Sequence, residues 1–108
     1  MATRHLTGPS EEGSAVVDIG GDVGAAIVST PASLVGSEIE IRPCGAAWDG
    51  THVAIRERHV AGGVMHAALF PGLEYGNYEV RLKGDATGPT TTFTVAGGRV
   101  SAARLPWP

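Results

Sequence analysis

An all-β fold, an antiparallel sandwich of seven to eight strands with a Greek-key path, is predicted by three observations. Short β-branched runs are separated by glycine-bearing turns at intervals of about 8 to 12 residues, the rhythm of a sandwich or barrel. Several runs alternate strictly: Ile39 and Ile41 oppose Glu38, Glu40 and Arg42, and Tyr78, Val80 and Leu82 oppose Glu79 and Arg81. No segment offers three helical turns of apolar repeat.

Residues 1–13 are polar, hold Gly8-Pro9 and Glu11-Glu12, and lack apolar periodicity; they predict a flexible arm before a single domain over 14–108. Strands are expected near 15–19, 24–29, 37–42, 51–60, 64–70, 77–83, 90–96 and 99–105. Gly20-Gly21-Asp22 reads as the loop of a first hairpin. Thr30 before Pro31 places an N-cap ahead of a proline suited to a first helical position, so one turn of helix is expected between the second and third strands. Gly62-Gly63 predicts a two-residue hairpin turn that sets His59 opposite His66. Pro71-Gly72 is expected to end its strand, Gly76-Asn77 to make a second turn, and Gly97-Gly98 to close a terminal hairpin. Phe93 and Val95 set against Thr90, Thr92 and Thr94 complete the pattern of sheets with one wet face each.

Composition narrows the function classes. With Phe70, Phe93, Tyr75, Tyr78, Trp48 and Trp107 as its aromatics, the core must be built from Val, Ile, Leu and Ala. Eight basic against eleven acidic residues give a formal net charge of −3. No Lys/Arg cluster stands out, which argues against nucleic acid as a partner. The single Cys44 has no partner for an internal disulfide, as in proteins of a reducing compartment. No run reaches the length of a bilayer span and the N-terminus lacks the apolar stretch of a secretory signal, so a cytoplasmic protein is expected.

The run Phe70-Pro71-Gly72-Leu73-Glu74-Tyr75-Gly76-Asn77-Tyr78-Glu79-Val80, with Val95-Ala96-Gly97-Gly98-Arg99-Val100 after it, resembles the closing half of prealbumin-like modules of the carboxypeptidase-regulatory-like and Cna-B-like kinds. The opening half, with Val16-Val17-Asp18-Ile19-Gly20-Gly21-Asp22, Gly36-Ser37-Glu38-Ile39-Glu40-Ile41 and Thr51-His52-Val53-Ala54, resembles a family of small uncharacterised actinobacterial proteins. The resemblance implies a fold and no activity.

Two candidate sites lie on the hairpin around Gly62. Strand alternation puts Glu57 on the face of His59 and His66, and two imidazoles with a carboxylate form a ligand set for zinc or copper. The opposite face gathers Arg56 and Arg58 with Ala54, Val60, Met65, Ala67 and Leu69, an apolar strip flanked by cations of the sort that meets a partner protein. Trp107, between two prolines, is a further partner-binding candidate. His52 reads as the residue that opens its strand after the Asp49-Gly50 loop. No G-x-S-x-G supports a hydrolase nucleophile, Gly20-Gly21-Asp22-Val23-Gly24 lacks the lysine of a phosphate cradle, and Asp18 with Asp22 is too few oxygens for calcium. These features predict a non-catalytic binding or assembly module with no cofactor, working through a sheet face, edge or loop cluster on a partner protein, a ligand or a second copy. The alternatives are a metal-binding protein using the His pair, and a small hydrolase.

Overall fold

In the computed structural model, residues 20–106 are described. They form two four-stranded sheets packed face to face, so the all-β sandwich is the fold. The strands are β1 (Val23–Ser29), β2 (Glu38–Pro43), β3 (His52–Ala54), β4 (Arg56–Val60), β5 (Gly63–Glu74), β6 (Gly76–Leu82), β7 (Thr90–Val95) and β8 (Val100–Arg104). One sheet has the order β4-β5-β1-β8 and the other β3-β2-β6-β7. The expected arm, the expected strand at 15–19 and Trp107 lie outside the described residues.

Alternation builds the core as the sequence predicts. Ala26, Val28, Ala68, Phe70 and Leu105 from one sheet meet Ile39, Ile41, Tyr78, Val80 and Val95 from the other, with Leu34 and Ile55 closing the ends. Tyr78 stacks on Phe93 at 6.1 Å between ring centroids. Its buried hydroxyl donates to the Glu74 carbonyl at 2.6 Å, which satisfies the one polar atom the ring brings inside. The short turn after β1 is a 3-10 helix, Ala32–Leu34, but Thr30 does not cap it: its hydroxyl donates to the Pro31 carbonyl instead.

Four expectations are corrected. The run 51–60 is two strands, because the fully buried Ile55 turns the chain from one sheet to the other, with its N–H on the Ser37 carbonyl and its carbonyl on the Gly36 N–H. Pro71-Gly72 does not end β5. Between the pairs Gly24↔Leu73 and Ala26↔Phe70 the strand carries one extra residue, and the bulge, with Gly72 at φ +69°, accepts a proline that has no N–H to offer the ladder. Gly97-Gly98 is not a hairpin within one sheet, since β7 and β8 belong to different sheets and the turn carries the chain across the end of the sandwich. Finally, β8 runs parallel to β1, from Ala25↔Val100 to Ser29↔Arg104, so that sheet is mixed rather than antiparallel.

The crossing turn fits because two glycines let backbones touch. A Cβ on Gly24 would stand 2.8 Å from the Arg99 carbonyl oxygen and against that of Ala96, and one on Gly97 would meet the Gly21 carbonyl oxygen. In the space so left, Gly98 N–H donates to Val23 and Ala25 N–H to Arg99. Beside them the two sheets are tied by hydroxyls: Thr91 Oγ1 donates to the Arg104 carbonyl at 2.8 Å and Ser101 Oγ to the Thr94 carbonyl at 2.7 Å.

Candidate functional site

The two outer faces of the sandwich differ in how far they are satisfied from within. On the β3-β2-β6-β7 sheet the alternating charges of β2 and β6 face one another in register, Glu40 beside Arg81 and Arg42 beside Glu79. Arg81 Nε meets Glu40 Oε1 at 2.9 Å, and Arg42 meets Glu79 Oε1 through Nε at 2.9 Å and Nη2 at 2.6 Å. The loop after β2 then folds back over the ladder. Arg42 Nη1 donates to the Ala46 carbonyl, and the Trp48 ring takes the Arg42 and Arg81 guanidiniums at 4.4 and 4.1 Å from its centroid.

Asp49 closes the loop by accepting from both the N–H and the hydroxyl of Thr51; these bonds hold its carboxyl below its ordinary pKa. Glu79 is likewise lowered, first by its hydrogen bonds from Arg42. Next along, His52 opens β3 with Nδ1 2.7 Å from the Gly50 carbonyl and Nε2 3.3 Å from Glu38, whose other oxygen is 3.6 Å from Lys83 Nζ. Glu38, Glu40, Arg42, Glu79, Arg81 and Lys83 on this face thus each have an opposite charge or His52 within reach among the described residues.

The outer face of the β4-β5-β1-β8 sheet is the reverse case. Registers across its four strands place Arg56, Ala67, Ser29 and Arg104 in one row, Leu69, Ile27 and Ala102 in the next towards the chain end of β5, and Arg58 with Met65 in the row on the other side. Ile27, Leu69 and Met65 are half-buried; Arg56, Ala102 and Arg104 are exposed. Ala67 is fully buried even here, under Arg58, whose Nε donates to the Ala67 carbonyl at 3.2 Å. Among the described residues no carboxylate forms an ion pair with Arg56, Arg58 or Arg104. The protonated form of Arg58 is disfavoured by burial and then by the neighbouring Arg56 charge.

Arg56, Arg58, Met65, Ala67 and Leu69 therefore share the face on which alternation puts them. Ala54 does not, because Ile55 has already turned the chain and Ala54 pairs with Glu38 in the other sheet. Sequence reasoning missed Ile27, Ala102 and Arg104 as members of this face. They arrive through the parallel β1–β8 pairing, for which local sequence gives no signal.

The hairpin register is also corrected. The two-residue turn is Ala61-Gly62, with Val60 opposite Gly63, His59 opposite Val64 and Glu57 opposite His66. The step of two residues keeps His59, Glu57 and His66 on one face but sets the imidazoles diagonally. His59 Nε2 is 3.5 Å from Glu57 Oε1. No cluster of three or more His, Cys, Asp or Glu side chains close enough to hold a metal ion occurs among the described residues. Cys44 is an exposed thiol at the head of the Trp48 loop. No helix among the described residues is long and apolar enough to cross a membrane. No protein-family model, curated protein or solved structure matches this chain.

Proposed function

We propose that the protein is a non-catalytic binding or assembly module whose contact surface is the outer face of the β4-β5-β1-β8 sheet. The observation that carries this reading is the contrast between the two faces. One is closed over by its own ion pairs and by Trp48, while the other leaves an apolar strip among cations that have no carboxylate partner among the described residues. Surfaces of this composition, an apolar centre with arginine at its rim, suit recognition by another protein. Prealbumin-like remains our name for the sandwich, supported by the run Gly72 to Val80, which lies where the chain passes from one sheet to the other at Tyr75.

The test is affinity capture from the source cell with the native protein and with Arg56→Glu/Arg104→Glu, both exposed positions. A protein retained by the first and lost by the second supports the reading. Self-association through the same face would appear as a dimer in sedimentation velocity that the variant abolishes. Capture unaffected by the variant would place the contact elsewhere, and turnover lost on substituting one His, Asp or Ser without unfolding would replace the module by an enzyme.

A further inference from the structure

We infer that this outer face takes an extended acidic peptide segment of a partner protein, its apolar side chains laid over Ile27, Leu69 and Ala102 and its carboxylates meeting Arg56, Arg58 and Arg104. The inference rests on the binding-module reading and specifies the chemistry of what is bound.

Size argues for a segment rather than a globular subunit. Arg56 and Arg104 stand at the two ends of one row, three strand spacings apart, or about 14 Å. The rows from Arg58 to Leu69 cover a similar length along the strands, again about 14 Å. A patch on the order of 200 Å² is a quarter of the roughly 800 Å² per partner that a stable globular interface needs. An extended chain, whose alternate side chains point the same way, can lay apolar groups down the centre and place acidic groups at both margins.

Charge argues for carboxylates. The three rows hold three guanidiniums and no acidic residue, and Glu57 of the same hairpin sits on the opposite face beside His59. Arg58 is held over the strip by its bond to the Ala67 carbonyl, where burial and then the Arg56 charge disfavour its protonated form, and a carboxylate arriving between Arg56 and Arg58 offsets the second of these. Guanidinium forks bind carboxylates bidentately, which gives the contact direction as well as attraction. Three cations on a chain of net charge −3 are too few for a polyanion. Nucleic-acid binders commonly make about 6 to 10 phosphate contacts. Basic clusters that hold acidic membranes carry about 4 to 8 Lys or Arg.

A random dodecapeptide display library, panned on the native protein and counter-screened on Arg56→Glu/Arg104→Glu, tests the inference. Enriched peptides are expected to alternate apolar residues with Asp or Glu. As synthetic peptides they should lose at least about tenfold in affinity on the variant, and weaken with added salt. Should the double variant melt early, Arg56→Gln/Arg104→Gln, which removes charge without reversing it, takes its place. Enriched peptides that are basic, or that bind variant and native protein equally, overturn the acidic-segment inference while leaving a binding module. If no peptide is enriched, the acidic-segment inference falls, and the binding-module reading is decided by capture and sedimentation with the same variant. Co-sedimentation with phosphatidylserine vesicles that the variant abolishes, in the absence of any enriched peptide, would make the face a membrane contact instead.

Discussion

Glu40 is the charged residue whose surroundings demand most. Its side chain is 10% exposed and pairs with a single guanidinium, that of Arg81 at 2.9 Å. Arg81→Ala should therefore cost more than Arg42→Ala, about 3 kcal/mol against about 1, because only the first strands a buried carboxylate. Chemical denaturation of both variants decides it, and Glu40→Leu/Arg81→Leu should recover much of the loss. The pH response follows from Glu79, whose folded pKa is depressed mainly by Arg42 hydrogen bonds. A depressed carboxyl stabilises the fold fully above its ordinary value, and that contribution is lost as pH falls below about 4.5 through the folded value. Melting temperatures measured from pH 7 to pH 3 should drop less in Glu79→Gln than in the native protein. The charge alternation of Glu38, Glu40, Arg42, Glu79 and Arg81 was legible in the sequence as a wet face. That Trp48 settles on it was not, since nothing in a loop's composition says which sheet it folds over.

Strands of strict alternation, β2, β6 and β7, stand where the sequence predicts them because period-two patterning reports burial directly. The misread joints share a physical cause. Ile55 keeps its alternation on either side of the turn between sheets, and Pro71-Gly72 looks the same in a turn as in a bulge, so neither announces which neighbour the backbone will pair with. The candidate face divides along the same line: Arg56, Arg58 and Met65 come from a local hairpin and were legible, whereas Arg104 joins them through a strand far away in the chain. Close backbone approach at the crossing turn gives a test at this scale. Gly24→Ala must push apart β1 and the 96–99 turn, where overpacking costs about 1 to 3 kcal/mol. Gly84→Ala, at a φ of +87° with open space around it, carries backbone strain alone. Thermal melts should rank Gly24→Ala as the more damaging of the two.

Across the whole molecule, the chain passes between the sheets along both sides, at Ile55 and at the Gly97-Gly98 turn. On the second side β7 and β8 are held in addition by Thr91 and Ser101 hydroxyls on main-chain carbonyls. Those hydroxyls occupy carbonyls that an edge strand such as β7 would otherwise offer to a neighbouring chain, which is one way of discouraging edge-to-edge association. The contact surface we propose is accordingly a face, that of the β1 sheet, rather than an edge.

The parallel seating of β8 against β1 has a mechanical meaning. Because the two strands point the same way, the chain enters β1 at one end of the pair and leaves β8 at the other, about 13 Å away across five paired residues. Tension applied at residues 20 and 106 would load the inter-strand hydrogen bonds in shear, all at once, where a hairpin would unzip one bond at a time. In a Cys44→Ser background, single-molecule pulling through handles at 20 and 106 should rupture at higher force than pulling through Ser33 and 106, which lie at the same end of the pair. Equal forces in the two geometries would show that the β1–β8 seam bears no load.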